Sequence, residues 1–577
     1  MSAMTNEIVL RDVESVRNHV GVWLREDMTF VRFDGRDVAS WLQTQTSNDV
    51  LKLKSGEGHA NALLDRKAFL QASFTLHRWE DEYWLITERR QADHLLNLLD
   101  AHLFLEDVRI ENAGDDLDQI ALQGPEGVAL LAGIMGFDSA ESLPREPYTC
   151  RPIVLLDHHV LAFQISETGE DGFVLVVPAG EGRELHQKLM SHGAASICPE
   201  ARDVLRIEAG IPRFGIDMDS SNRLPETTLE RTCVSYDKGC YLGQEVVAKM
   251  RTYSTPKFAL MGLVSEDALP TLDTALYMEG TRVGTMKSAA WSPTLQRHIA
   301  LAYLDRDIRA PGQVRSFSGE HGDATHTALV TVLPFYEAAS RQERARQLYD
   351  EALARFESDT EDEDDTAIRL LQHAVLLYPT FEDAYEALGV ILNRHHRVDE
   401  AISVMKRLET LNPDCIMAHT NLSVFYVAKG MIQEAEEEKA KAAVLQLRMA
   451  RHQARAEDLA REERERIRVE AQERIVMFRE VLDIDPDDPL ATYGIGMAYM
   501  QLDQPGDAIP YLQHAAKVQK DYSAAYLSLG KCFEFLNRTE DAAQAYRKGI
   551  EAANRKGDLM PLREMERRLT RILHHED

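Results

Sequence analysis

The sequence is poor in the features that mark several large protein classes. Its six cysteines (Cys150, Cys198, Cys233, Cys240, Cys415, Cys532) are scattered over 577 residues and share no short metal-binding spacing. They read as reduced thiols of a cytosolic chain. The pair Cys233 and Cys240, seven apart, is the weaker alternative for a zinc or cluster site, and no resident metal is expected. No apolar run approaches the ~20 residues that cross a bilayer. The opening MSAMTNEIVLRDVESVRN lacks a basic start followed by an apolar stretch, so no secretory leader is expected and a cytoplasmic location follows. Positive charge is also scarce: 65 Lys and Arg stand against 95 Asp and Glu, a net charge of -30. That argues against nucleic-acid binding through bulk electrostatics and leaves room only for a local basic groove. Phosphate-binding glycine loops, a Ser–His–Asp order and a His-Glu-x-x-His run are absent. The pairs His158–His159 and His395–His396 are adjacent, and neighbours on a strand or a helix face apart, so neither suits a shared metal.

What is present is an ordinary folded composition, 44% hydrophobic and 28% charged, in a chain long enough for three to four units of about 150 residues. The texture changes near Pro334. Before it, β-rich runs such as Tyr83–Thr87, Ile153–Leu155, Phe173–Val177 and Ala328–Leu333 alternate with helical ones and are punctuated by Gly and Pro. After it, apolar residues recur at three and four, the helical period.

The second part repeats. Ala367, Ala401 and Ala435 are spaced by 34, as are Ala508 and Ala542, Pro379 and Pro413, and Gly496 and Gly530. A period of that length with small residues in each helix is the tetratricopeptide pattern, because antiparallel helices approach closely only where a side chain is short. Four repeats and one degenerate one are expected. Between Gly430 and Pro486 no Gly or Pro occurs. The dense mixed charge there predicts a long solvated helix, with an insert near residues 445–475. The alternative, a coiled-coil partner helix, has few apolar seam residues. The acidic run Asp359–Asp365 reads as a solvated loop, with a cation or basic-partner site as the minority alternative.

The sharpest motif is Lys238-Gly239-Cys240-Tyr241-Leu242-Gly243-Gln244-Glu245. Two glycines bracket a thiol on a short bend, and glycine lets backbone approach a ligand. Lys238 would favour the thiolate, the reactive form. A small buried cysteine is the plainer alternative. These residues resemble the hallmark of YgfZ-like proteins, a branch of the aminomethyltransferase (glycine-cleavage T-protein) superfamily. Other stretches resemble the family in the same order: Trp41–Val50, Ala62–Phe69, Ala121–Pro125, Ser166–Pro178 and Ala201–Asp217. The resemblance covers about residues 20–335.

The resemblance implies an α+β fold of three modules around a hole that takes tetrahydrofolate, followed by an all-α tetratricopeptide solenoid. The domains expected are 1–235 (folate-binding modules), 236–335 (the cysteine motif and a barrel-like module) and 340–577 (repeats). It implies support of iron–sulfur enzyme assembly or repair, linked to tRNA modification, with any cluster in the client. A tetrahydrofolate-dependent aminomethyltransferase and a non-catalytic interaction scaffold are the alternatives, and whether the chain is an enzyme stays open. The repeats would recruit a protein partner on their concave face, an iron–sulfur enzyme or assembly factor. Cys240 and Lys238 are the expected reactive pair. Arg202, Gly239, Gln244, Asp65 and Lys67 are the expected folate-side residues. In the aminomethyltransferase an Arg at the place of Arg202 grips the glutamyl tail, which suits a guanidinium fork; a surface salt bridge is the alternative. The Glu that anchors the pteridine there is replaced by Val174, which accepts no hydrogen bond. Asp217 reads as the brace of a turn rather than a catalytic acid.

Overall fold

The computed structural model describes residues 3–573 apart from 254, 271, 319–324 and 357–360. Three sheets and a succession of helices follow the change of texture read from the sequence. The first sheet has six strands in the order Ala195–Ser196, Gly21–Leu24, Leu117–Gln123, Gly172–Pro178, His158–Gln164 and Cys150–Leu155. Phe173–Val177 is buried throughout, as a central strand covered on both faces must be. The second sheet has five strands, in the order Glu57–Leu64, Leu70–Trp79, Glu82–Glu88, Met28–Asp34 and Arg109–Asn112. The two sheets share hydrocarbon: Phe30 and Ile86 of the second pack with Phe163, Val174 and Val176 of the first. The third sheet is antiparallel, in the order Ala275–Met278, Thr281–Ser292, Arg297–Asp305, Phe258–Ser265, His326–Thr331 and Val314–Phe317.

Asp217 ties the third sheet to the others. Its carboxylate is wholly buried, accepts from Arg206 Nη1 at 2.5 Å and the Arg213 amide at 2.9 Å, and takes the Ser288 amide at 3.1 Å. The residue braces the turn after helix Pro199–Glu208 against strand Thr281–Ser292. His158 is buried and His159 exposed on one strand, facing apart as alternation requires.

The chain forms two compact units, Met1–Leu411 and Asn412–Asp577. The first therefore runs past the border near residue 340 suggested by composition. Helices Arg341–Phe356, Glu361–Leu377, Glu382–Arg394 and Val398–Leu411 belong with the sheets. Arg341 pairs with Asp171 at 2.8 Å, and Arg407 reaches Asp138 at 2.9 Å and Glu141 at 3.1 Å. The acidic run departs from the expected loop. Asp359 and Thr360 lie outside the described residues, but Glu361 onward opens helix Glu361–Leu377, where carboxylates complement the positive end of the helix dipole. Asp364 is buried and meets His395 Nε2 at 2.6 Å.

In the second unit, paired helices close tightly where the small repeat residues fall. A Cβ at Gly530 would stand 2.2 Å from the Tyr546 ring, and one at Gly496 2.7 Å from Leu512. The segment without Gly or Pro is one helix, Ile432–Ile484, of 53 residues. Near its start Glu438 meets His419 at 2.6 Å; near its end Ala471 and Ile475 pack on Ile495 and Ala498.

Candidate functional site

A cavity of about 490 Å³ opens between the first and second sheets. Strand Gly21–Leu24 and the turn after it supply Trp23, Arg25 and Asp27; the second sheet supplies Ser73–Thr75 and Ile86–Glu88. Helix Pro199–Glu208 and the turn it feeds close the space with Arg202, Arg206 and Arg213. Its volume lies within the range of small-molecule sites, about 300–1,000 Å³.

Charge in the cavity is balanced but unevenly held. Arg25 is buried and saturated: it donates to Glu167 at 2.6 Å and to Gln119 Oε1 at 2.6 Å. Arg213 grips Glu88 with two nitrogens, at 3.0 and 3.1 Å, and touches Asp27 at 3.2 Å. Burial pushes the Asp27 carboxyl up, but the Arg202 and Arg213 guanidiniums overcome it and hold the group below the usual aspartate range. Arg202 is the loosest of the four arginines. Its Nη2 alone reaches Asp27, at 3.2 and 3.3 Å. Its Nε and Nη1 make no hydrogen bond among the described residues, and its guanidinium stands 5.4 Å from the Trp23 ring centre. It is the arginine with donors to offer a carboxylate.

Two buried polar atoms of wall residues have no hydrogen-bond partner among the described residues: the Trp23 Nε1–H donor and the Gln91 Oε1 acceptor. Gln91 is fixed by its amide nitrogen, which donates to the Ser73 carbonyl at 3.3 Å. An orphaned buried polar atom is expensive, so a ligand that supplies both an acceptor and a donor relieves the cavity. A pteridine ring carries both kinds of edge, and an acidic tail suits Arg202; on this chemistry the residues present fit a folate. Val174 lies behind the wall, packed with Ile86 and Ile165. It is fully buried in the hydrocarbon cluster between the sheets and is not on the cavity wall.

Of the residues singled out in the sequence, Arg202 is on the cavity wall. The others gather at a second locus. Gly243, at φ +84°, packs on the turn Asp65–Ala68, and a Cβ there would stand 2.6 Å from the Asp65 carbonyl. Asp65 Oδ1 accepts from the amides of Lys67 and Phe69, both at 2.8 Å. Gln244 opens helix Gln244–Tyr253, while Gly239 and Cys240 stand on irregular backbone with Cys240 exposed. Lys238 is buried and donates to the carbonyls of Thr46 and Asn48 at 2.6 and 2.9 Å. Burial pushes its ammonium down to about 8. The Thr46–Asn48 bend is also held from the other side, by the bonds of Ser47 to the Cys233 carbonyl (2.6 Å) and of Asn48 to the Thr232 carbonyl (3.1 Å). Three of the sequence motifs thus converge on one bend.

The cysteine on the cavity wall is Cys233, whose thiol burial pushes up to about 12. Sequence reasoning passed over its place there, as it did Trp23, Gln91 and Arg213. Arg213 sits inside the RFGID stretch and was reachable; Trp23 and Gln91 carry no local signal.

Comparison with known proteins agrees with this geometry. Residues 2–238 match the GCVT N-terminal domain, residues 259–337 the glycine cleavage T-protein C-terminal barrel domain, and residues 493–556 a tetratricopeptide repeat. An aminomethyltransferase of Thermus thermophilus is 30% identical over 322 residues, covering 56% of this chain and 88% of the relative. One from Aquifex aeolicus is 29% identical over 307 residues, covering 53% and 81%. The crystal structure of the glycine cleavage system aminomethyltransferase T from Bartonella henselae superposes with a TM-score of 0.51 at 23% identity, over 57% of this chain and 90% of that one. Among the described residues no helix is long and apolar enough to cross a membrane.

Proposed function

Since the chain belongs to the aminomethyltransferase family, with tetratricopeptide repeats after the family domains, we propose that it is a folate-binding protein of the YgfZ-like branch that supports iron–sulfur enzymes. In this reading Arg202 holds the acidic tail, and Trp23 Nε1 and Gln91 Oε1 meet the ring. Tetrahydrofolate, when bound, supplies a carrier for a one-carbon unit. The chain's own part is to orient that carrier, exclude water with the Met28, Ile86 and Ile165 wall, and present the exposed Cys240 to a client. The repeats bring the client, since such arrays present surfaces to other proteins.

The observation that carries the reading is the pairing of a folate-compatible cavity with Val174 sealed away from it. The first half keeps Arg202 for the carrier's acidic tail but lacks the carboxylate that anchors the pteridine in the aminomethyltransferase. Titration with tetrahydrofolate tests binding: the wild type binds, and Arg202→Ala weakens binding about tenfold or more, the worth of one charge-assisted contact. Absence of binding moves the function to the repeats. The role of the thiol is tested separately. Cys240→Ala is expected to fold and bind folate as the wild type does, yet fail to complement a strain lacking its YgfZ homologue.

A second reading has the aminomethyltransferase relatives in its favour, the one from Thermus thermophilus matched along 88% of its length at 30% identity. Turnover of an aminomethylated lipoyl carrier by the purified protein would establish it and displace the first.

A further inference from the structure

Away from the folate cavity, the first unit contains a larger open cleft of about 970 Å³. One wall is the segment Glu141–Pro152 that leads into edge strand Cys150–Leu155; the other is formed by helices Glu382–Arg394 and Val398–Leu411. In a chain of net charge -30, this cleft gathers Arg145, Arg151, Lys406 and Arg407. Arg407 is satisfied by Asp138 and Glu141. Arg145 is not. Its guanidinium is half-buried, and burial disfavours its charge; Tyr385 and Glu141 attract it at longer range while Arg341 and Arg407 repel it, and it has no hydrogen bond or ion pair among the described residues. Arg151 Nη1 donates to the neighbouring Cys150 carbonyl at 3.1 Å, and the guanidinium meets no carboxylate among the described residues. A desolvated, unpaired guanidinium is costly unless a ligand supplies the anion.

We infer that this cleft is a docking site for an acidic, extended peptide segment of a partner protein. The cleft's size, at the top of the range for small ligands, and its openness suit a length of chain. Its surface interleaves charge with hydrocarbon: Leu143 and Leu411 lie beside the cations, and Glu141 and Glu146 interrupt them. A nucleic-acid backbone, charged at every step, would meet both glutamates. A peptide places acids opposite the arginines and neutral or apolar residues opposite the glutamates. The inference stands apart from the folate reading, because none of these residues lines the folate cavity.

Fluorescence anisotropy on the full chain tests it, with a labelled short peptide rich in glutamate and leucine. The probe is run beside its glutamine counterpart and a single-stranded RNA of equal length. The glutamate peptide is expected to bind, more weakly as salt rises, and at least about tenfold more tightly than the glutamine form. Arg145→Ala and Lys406→Glu should each lower its affinity several-fold. Lys406 is exposed on its helix, so the second variant carries the test if the first unfolds. No binding, equal binding of the glutamine peptide, tighter binding of RNA, or affinity untouched by both substitutions would each overturn the assignment.

Discussion

His77 shows how much one side chain can fix. It is wholly buried, with Nδ1–H donating to the Tyr148 carbonyl at 3.0 Å and Nε2 accepting from Thr75 Oγ1 at 2.9 Å. Both ring nitrogens are used by the neutral form, and burial pushes the pKa from 6.5 down to about 3. Below pH ~6.5 the unfolded chain takes up a proton that the folded chain refuses. Stability is therefore lost as pH falls from 6.5 toward 3, with a slope approaching about 1.4 kcal/mol per pH unit from this residue. His77→Gln should lower stability at pH 7 yet flatten that slope; denaturant unfolding at pH 7 and pH 5 reads both. At this scale the sequence was partly legible. Arg202 and Asp217 could be picked out because they lie in stretches with family character; Arg202 lies on the cavity wall and Asp217 accepts from Arg206. Trp23 and Gln91 could not, because what distinguishes them is a buried atom without a partner among the described residues, in the wall of a cavity, and only folding creates the cavity. Val174 was legible as a place without a carboxylate, but not its burial behind Ile86 and Ile165 of the cavity wall.

Among elements, turns and helices differ in how far sequence dictates them. The bend at Gly243 follows from composition: φ is +84° and the backbone of Asp65 and Ala68 crowds the place of a Cβ. Gly243→Ala is expected to cost about 1–3 kcal/mol, seen as a lower melting temperature, and to loosen the Asp65–Phe69 turn. The period of 34 announced the repeat helices because each closes on its neighbour through a small residue. The continuous helix was legible too, since nothing between Gly430 and Pro486 can break it. Glu463→Pro, at an exposed position, should cost about 3 kcal/mol locally and reduce helical circular dichroism while leaving folate binding unchanged. The acidic run was misjudged because charge density resembles a loop when the helix dipole and the His395 partner of Asp364 are not in view.

For the molecule as a whole, the informative border is the end of helix Val398–Leu411 rather than the change of texture near Pro334. Helices up to Leu411 are bound to the sheets through Arg341–Asp171 and Arg407–Asp138, and Tyr336 stacks under Arg17 with 3.8 Å between guanidinium and ring centre. A chain ending at residue 411 should keep the melting temperature and tetrahydrofolate affinity of the first unit; one ending at residue 337 should melt several degrees lower. Periodicity could reveal that helices follow the sheets but not how many of them the sheets retain, because that depends on pairs far apart in sequence. Val174 shows what the same compactness forbids. A glutamate there would place an unpaired carboxylate in sealed hydrocarbon, a penalty of several kcal/mol against a total stability on the order of 5–15 kcal/mol. A carboxylate is therefore accommodated at this position only if the apolar neighbours that seal it change as well.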